Sequence, residues 1–507
     1  MQASERSVQR SVQRSGGQAP EAVTGAGRVR GVEKDGVARF LGVPFAAPPV
    51  GPLRFAAPAA VPAWDGVRDC TVPGPNAPQP PRTFGPLDLS PVIGQGWRPG
   101  DDHLTVDVWT PDPGGSGLPV MVFVHGGAFV AGEPGAPVYD GTALARAGVV
   151  LVSVTYRLGI EGFLPLAGGA TNIGLRDQLA ALAWVQENAA AFGGDPGNVT
   201  VFGESAGAMS VGCLLGSPLA AGLFRRAIVQ SGGAEMVHSE GPLRGFAARV
   251  AAELGVEPSA AAFRARPLAE TLAAQDRMSD PLKRGDLREP DGVDPGFGLG
   301  GFCPVVGDDV LPRSPLGAVA EGSAAGVDVI TGFNAEEMNL YLVPTGLLAA
   351  LTDAQALAGL GAVHPRAAEL LAARPEATPG ERYAALLTDL VFRGPALRLA
   401  LAHAGTGSGS THVYEFAWRS PAFGGGLGAC HALELPFVFG TPERATGPDA
   451  LAGEDPPRAL ADEMVAAWTG FARTGDPGWP AFTPEGRALR RFGTPSVDAA
   501  ADPVTAG

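Results

Sequence analysis

A chain of 507 residues, 45% hydrophobic and 18% charged, contains enough apolar material for a large core, which excludes a mostly disordered protein. Its 52 acidic and 37 basic residues give a formal net charge of −15, which repels phosphate backbones and anionic lipid surfaces and argues against nucleic-acid or membrane partners. The cysteines are too far apart in sequence for a zinc knuckle or a redox pair, so each is predicted to be a small core residue. They are Cys70, Cys213, Cys303 and Cys430.

The ends of the chain predict tails around one folded unit. Residues 1–27 are expected to form a disordered N-terminal tail, because the segment 1–20 repeats Arg-Ser-Val-Gln and lacks the apolar stretch of a secretory signal. A single domain is predicted over residues 28–495, followed by a C-terminal tail over 496–507. Within the domain, the insert 71–100 is rich in Gly and Pro and predicts a long surface loop.

From residue 119 onward, β-branched runs alternate with helical patterns, which is typical of a sheet covered by helices on both faces. Three uniformly apolar runs predict central strands, at residues 120–124, 149–155 and 199–202. Later runs predict further strands, at residues 227–230, 327–331 and 412–416. Apolar residues at helical spacing predict a covering helix around 175–185 and several helices between 346 and 404. The expected fold class is α/β, with a central, mostly parallel sheet flanked by helices.

A Gly-Glu-Ser-Ala-Gly pentapeptide at residues 203–207 directly follows the predicted strand 199–202 and leads into an apolar helical run. Small residues are needed on both sides of the serine because it sits in a strained turn that holds its hydroxyl above the sheet. The pentapeptide occurs by chance in a chain with 73 glycines, but the strand and helix around it are typical of a nucleophile elbow. Ser205 is therefore the predicted nucleophile of an α/β-hydrolase fold.

Glycines also follow the predicted strand 120–124, in the sequence His-Gly-Gly-Ala at residues 125–128. They leave backbone N–H groups open to a ligand. Together with the N–H of Ala206, those of Gly126 and Gly127 are predicted to form an oxyanion hole, in which each donor contributes about 3 kcal/mol. A glycine-rich turn without function is the alternative, and the presence of the elbow in the same chain favours the oxyanion hole.

The serine needs a histidine base that lies after it in the chain. Four histidines lie far downstream. His403 is assigned to a helix, His412 to a strand and His364 to a surface loop. His431 follows a glycine-rich stretch of the kind that brings a side chain to a cavity, and it is the predicted base.

An acid must orient the base and stabilise its charged form. The strand 327–331 is followed by the adjacent Glu336 and Glu337, at the strand end where catalytic loops lie. Spacing leaves open which of the two carboxylates faces the histidine.

With these motifs in order, the chain resembles a type-B carboxylesterase, the group that includes bacterial para-nitrobenzyl esterases, animal carboxylesterases and cholinesterases. The resemblance runs nearly end to end, and it rests on residues 40–46, 48–51, 53–55, 108–111, 125–127, 156–159, 172, 174–175, 177–178, 192–196, 203–207, 230–232, 434, 437–440 and 479–480. It implies a serine carboxylesterase that hydrolyses carboxylic esters through an acyl-enzyme intermediate.

The resemblance also implies roles for particular side chains. It selects Glu337 as the acid, which gives a triad of Ser205, Glu337 and His431. It further implies that Glu204 and Ser231 are supporting polar groups near the histidine.

The chain departs from the family pattern at two positions. Met338 stands where the family usually has a glycine after the acid. His103 stands where secreted members have the second cysteine of a disulfide whose first cysteine matches Cys70. That disulfide is therefore expected to be absent, which favours a reducing cytoplasm, and the bias toward Ala, Gly, Pro and Arg resembles bacterial proteins of high GC content.

The sequence argues against two alternatives to a carboxylesterase. A binding protein on this fold would have lost catalytic residues, whereas none is missing here. A lipase that acts at lipid interfaces would need an amphipathic lid, which the sequence does not indicate.

The expected partner is a small-molecule ester, and no metal or organic cofactor is expected because the chain has no HExxH, Cys/His cluster or GxxxxGK motif. Oligomeric state and substrate preference stay open, and Phe129 and Phe302 are assigned to the core with cavity lining as the alternative.

Overall fold

In a computed structural model, residues 19–375 and 377–502 are described. The strands in this part of the chain are β1 Glu21–Val23, β2 Arg28–Arg30, β3 Val32–Lys34, β4 Val37–Pro44, β5 Val67–Asp69, β6 Thr105–Thr110, β7 Leu118–Val124, β8 Val150–Val154, β9 Gly194–Glu204, β10 Arg226–Gln230, β11 Asp328–Asn334, β12 Thr411–Phe416, β13 Ala488–Phe492 and β14 Val497–Ala500.

The α-helices in the same residues are α1 Ser90–Ile93, α2 Thr142–Arg146, α3 Gly159–Phe163, α4 Ile173–Asn188, α5 Ala206–Gly216, α6 Glu240–Leu254, α7 Ala260–Arg264, α8 Leu268–Arg277, α9 Pro281–Arg284, α10 Pro315–Ala320, α11 Asn339–Leu342, α12 Leu347–Ala350, α13 Asp353–Gly361, α14 Ala367–Ala372, α15 Pro379–Thr388, α16 Gly394–Ala404, α17 Leu435–Val438 and α18 Arg458–Thr474. A π-helical turn over Asp389–Arg393 joins α15 to α16. None of these helices is both long and apolar enough to cross a membrane.

Eleven strands form one sheet in the order β14-β13-β12-β11-β10-β9-β7-β8-β6-β4-β3. In the stretch of this order that runs from β13 to β8, which includes β7, each strand is parallel to the next one. The outer strands pair antiparallel, namely β14 on one edge and β6, β4 and β3 on the other. The prediction of an α/β fold with a mostly parallel centre is confirmed, and its antiparallel edges make the whole sheet mixed. A separate small sheet contains β1, β2 and β5.

The central strands are buried on both faces, as their uniformly apolar sequences predict. On β7, Val120 and Val122 pack into one hydrophobic core, while Met121 and Phe123 pack into a second core on the opposite face. Residues of α4 and α5 fill the first core, and residues of α18 fill the second. Catalytic loops in such a sheet lie at the carboxyl ends of the parallel strands.

All six predicted strands are present, as β7 to β12, with ends that differ by a few residues. The strands β1 to β6, β13 and β14 were missed. Most of them have exposed or charged positions, so they lack an apolar run. In β6, which is wholly buried, the run is interrupted by Asp107, whose carboxylate accepts a hydrogen bond from the N–H of Gly42 at 2.7 Å.

Strands also lie beyond the predicted bounds of the domain, residues 28–495. β1 begins at Glu21 and β14 ends at Ala500, so paired strands extend into both predicted tails. Residues 1–18 and 503–507 of those tails lie outside the described residues. The division into a single domain stays a prediction.

Candidate active site

Ser205 lies between the end of β9 and the start of α5. Its backbone angles are φ 57° and ψ −125°, which residues other than glycine rarely adopt. A Cβ atom on Gly203 would lie 2.6 Å from the carbonyl carbon of Gly207, and one on Gly207 would lie 2.0 Å from the carbonyl oxygen of Val124. Both flanking positions therefore require glycine. The turn has the strain that the pentapeptide predicts, and Ser205 lines the cavities beside it.

A continuous chain of hydrogen bonds joins Ser205, His431 and Glu337. Nε2 of His431 lies 2.8 Å from Oγ of Ser205, and Nδ1 lies 2.7 Å from Oε2 of Glu337. The backbone N–H of Asn334, at the end of β11, donates to the other carboxylate oxygen of Glu337 at 2.7 Å. Glu337 is fully buried and His431 is 3% exposed, so bulk water does not compete for these bonds.

The neighbouring Glu336 faces the other way. Its carboxylate accepts a hydrogen bond from the N–H of Ala429 at 2.9 Å and pairs with the guanidinium of Arg419. Met338, which replaces the family's glycine, has φ −71° and ψ −10° and is buried. Any residue adopts these angles, so glycine is not required at this position.

The three amides predicted for the oxyanion hole border the serine. Ala206 is the first residue of α5, so its N–H has no acceptor within the helix. In the described part of the chain, the N–H groups of Gly126 and Gly127 donate to no protein acceptor. A Cβ atom on Gly126 would lie 3.0 Å from Cβ of Ser205, which shows how closely this backbone approaches the serine.

The histidine is surrounded by carboxylates. Oε1 of Glu204 lies 3.2 Å from Nε2 of His431. Burial by itself lowers the pKa of His431, but the charges of Glu204, Glu337 and Glu434 outweigh burial and raise the pKa to about 9. Burial raises the pKa of Glu204 well above its usual range. The imidazole of His431 therefore keeps its proton to a higher pH than a free histidine does.

Glu434 is a buried acid whose role sequence reasoning missed. Its carboxylate accepts hydrogen bonds from Nδ2 of Asn334 at 2.6 Å and from Nε2 of Gln230 at 3.2 Å. Burial raises its pKa to about 7. The signal available in the sequence was that Glu434, three residues after His431, is one of the positions that match the family. The other expected supporting group, Ser231, is buried at the end of β10, and no hydrogen bond joins it to His431 within the described residues.

Two cavities meet at Ser205. The first, of about 80 Å³, is lined by His431, Gly126, Gly127 and Tyr341, and by several residues between 82 and 93. The insert 71–100, predicted as a surface loop, thus also forms a wall of the site. It does so because its few apolar residues, among them those of α1, pack inward.

The second cavity, of about 50 Å³, is apolar, with Phe129, Met209, Phe302 and Phe392 among its lining residues. Both interpretations of Phe129 and Phe302 hold, because each ring is buried in the core and lines this cavity. Phe392 also packs against His431, with ring centroids 4.6 Å apart. The π-helical turn positions this phenylalanine.

The other three candidate histidines do not line the two cavities at Ser205. His403 and His412 lie on α16 and β12, as predicted, and both are buried. His364 was predicted on the surface, but it is buried and stacks on Phe297, which its neighbouring proline and loop context do not indicate. The four described cysteines are unpaired thiols in buried positions, which confirms their assignment to the core.

A serine in a strained turn, hydrogen-bonded to a buried histidine–glutamate pair and bordered by free amides, defines a serine hydrolase of the α/β-hydrolase fold. The chain belongs to the carboxylesterase family, whose model matches residues 18–353 and 368–497. The predicted family, fold and ester-hydrolase class are therefore confirmed, and the protein is a serine carboxylesterase.

Similar proteins cover nearly the whole chain. The para-nitrobenzyl esterase of Bacillus subtilis strain 168 is 36% identical over 475 residues, which is 91% of this chain and 92% of that protein. The phenmedipham hydrolase of Pseudarthrobacter oxydans is 34% identical and covers 95% of this chain and 97% of its own. Among solved structures, a carboxylesterase of Geobacillus stearothermophilus has a TM-score of 0.80 at 35% identity, covering 94% of this chain and 97% of that one. A thermophilic PNB esterase has a TM-score of 0.80 at 34% identity, covering 95% and 98%.

Proposed function

We propose that this carboxylesterase acts on small-molecule esters through Ser205 as nucleophile, His431 as general base and Glu337 as the acid that orients the base. The observation that carries the proposal is the hydrogen-bond chain from Ser205 Oγ through the imidazole to Glu337, with separations of 2.8 and 2.7 Å. Ser205 and His431 line a cavity, so an ester carbonyl can reach the serine hydroxyl.

The reaction has two halves. His431 takes the proton of Ser205 as Oγ attacks the ester carbonyl, and Glu337 stabilises the imidazolium that forms. The amides of Gly126, Gly127 and Ala206 stabilise the negative charge on the carbonyl oxygen. The alcohol leaves with a proton from His431, and water activated by the same histidine then releases the acid.

The histidine also distinguishes the two cavities. Because the leaving alcohol oxygen takes its proton from Nε2 of His431, the alcohol half of the ester must lie on the side of the histidine. His431 lines the first cavity and not the second. We therefore call the first one the alcohol cavity and the second one the acyl cavity.

Diethyl 4-nitrophenyl phosphate tests the nucleophile. We expect one equivalent of 4-nitrophenol per chain, complete loss of esterase activity, and a diethylphosphoryl adduct on Ser205 by peptide mass spectrometry. Ser210→Ala is the control, because Ser210 is a buried serine nearby on α5 that accepts its hydrogen bond from Gln178. That variant should still react. An adduct on another residue, or inhibition without an adduct on Ser205, would contradict the proposed nucleophile.

The carboxylates around His431 predict an alkaline pH profile. The protonated imidazole cannot accept the serine proton. Because the pKa of His431 is raised from 6.5 to about 9, kcat/KM should fall as the pH drops below about 9. Glu204→Gln removes the charge that raises this pKa most, so its acid limb should move to lower pH. The measurement is kcat/KM for 4-nitrophenyl acetate from about pH 5 to about pH 10.

Glu336→Gln is the matched control for that profile, because Glu336 pairs with Arg419 instead of the imidazole. Its acid limb should stay at the wild-type position. An unchanged limb in Glu204→Gln, or a shift to higher pH, would contradict the electrostatic role of Glu204.

We further propose a reducing compartment such as the bacterial cytoplasm. All four described cysteines are unpaired, and Cys70 is a buried thiol. Burial raises the pKa of Cys70 to about 12, so the reactive thiolate is strongly disfavoured.

The formal net charge of −15 further argues against nucleic acid as a partner.

A further inference from the structure

The wall that the insert contributes to the alcohol cavity carries a guanidinium group. Arg82 lines this cavity together with Ser205 and His431. Its Nε is buried and has no hydrogen-bond partner in the described part of the chain. Burial lowers the pKa of Arg82, and the charge of Asp276 acts in the opposite direction. A partly buried cation without a bonded anion is unfavourable, so this group is open to an anionic ligand.

The segment around Arg82 is held against the catalytic histidine. The ring of Phe84 lies 6.4 Å from that of Tyr341, and the ring of Tyr341 lies 5.8 Å from that of His431. Much of the cavity wall beyond Arg82 is apolar, with Leu89, Val92 and Ile93 from the same insert. Arg82 is therefore the one cationic hydrogen-bond donor that this wall offers to a polar substituent on the alcohol half of the ester.

The carboxylate of Glu204, which also lines the cavity, lies against the catalytic histidine, with Oε1 3.2 Å from Nε2 of His431. Within the described residues no ion pair joins Glu204 to Arg82. Arg82 is the one arginine or lysine among the residues that line this cavity, in a protein whose formal net charge of −15 repels anions elsewhere.

We propose that Arg82 binds an anionic group on the alcohol half of the substrate, so that the protein selects esters whose leaving alcohol carries a carboxylate. The inference rests on the proposed function, because it uses the assignment of the alcohol half to this cavity. A guanidinium recognises a carboxylate through paired, charge-assisted N–H donors. The ester C–O bond breaks as before, and the products are a carboxylic acid and a hydroxy-carboxylate.

The test compares two acetate esters of similar shape, 4-acetoxybenzoate and the neutral 4-acetoxybenzamide. Arg82→Gln should lower kcat/KM for the benzoate by about tenfold or more, the effect of one lost charged hydrogen bond. The change for the benzamide should stay below about twofold, because an amide does not need the cation. Each ester is compared with itself in two enzymes, so differences in leaving-group reactivity cancel.

Two further variants separate a local contact from a general effect of charge. Arg82→Lys keeps the charge and should retain part of the preference for the benzoate. Arg28→Gln removes an exposed positive charge from β2, outside the cavity lining, and should leave both esters unchanged. As a readout that needs no turnover of the anionic ester, 4-hydroxybenzoate should inhibit benzamide-ester hydrolysis competitively, with a Ki about tenfold higher in Arg82→Gln.

The outcomes distinguish the inference from the function beneath it. If Arg82→Gln affects the two esters equally, or leaves both rates and the Ki unchanged, the anion site is wrong while ester hydrolysis stands. If the wild-type protein hydrolyses neither ester nor 4-nitrophenyl acetate, the proposed function itself fails.

Discussion

Replacing Ser205 with alanine should reduce kcat for 4-nitrophenyl acetate by about 10⁵- to 10⁶-fold. The serine hydroxyl is the one group in the described site that His431 can deprotonate for attack, since Nε2 lies 2.8 Å from that oxygen. Without it no acyl-enzyme forms, and the remaining catalysis comes from the amides and from substrate binding. Steady-state hydrolysis, measured with protein free of contaminating esterase, gives the ratio directly.

A folding control is needed for this variant, because Ser205 has a strained backbone with φ 57°. Alanine has the same steric limits at that angle, so the strain is nearly unchanged and the thermal midpoint should move by no more than a few degrees. A folded Ser205→Ala protein that retains more than about 1% of wild-type kcat would contradict the proposed nucleophile.

Glu337→Gln should lower kcat by about 10³- to 10⁴-fold. The carboxylate accepts the Nδ1–H of His431 and keeps Nε2 free to take the serine proton. A glutamine amide can donate to Nδ1 instead, which favours the tautomer with a proton on Nε2, and it has no charge to stabilise the imidazolium. The loss should appear in kcat for the same ester, with no loss of secondary structure by circular dichroism.

Glu336→Gln is the matched control, since it makes the same change one position earlier in the same loop. Glu336 holds the N–H of Ala429 and the guanidinium of Arg419, so its loss should cost less than about threefold in kcat. Equal losses in the two variants would indicate a general disturbance of the loop, and a larger loss in Glu336→Gln would reverse the assignment of the acid.

A feature of the fold or of the site was predictable from the sequence when it depended only on residues close together in the chain. The elbow was readable because a strained turn needs small residues on either side, and a Cβ atom at Gly203 or Gly207 would indeed collide with backbone. The central strands were readable because burial on both faces demands apolar residues without interruption. The edge strands were missed, because strands such as β3 alternate with solvent and carry charges.

The sequence by itself determined the fold class, and it predicted the proposed nucleophile, amides and histidine, because each prediction used backbone angles or apolar runs within a few neighbouring residues. Only the tertiary structure decided how those parts meet. The bonds from His431 to Ser205 and to Glu337 join positions 226 and 94 residues apart, and the strand order of the sheet brings them together. The same long-range packing turned Glu336 outward and brought Arg82 from a loop to the cavity wall, because no local rule determines which distant surface a loop contacts.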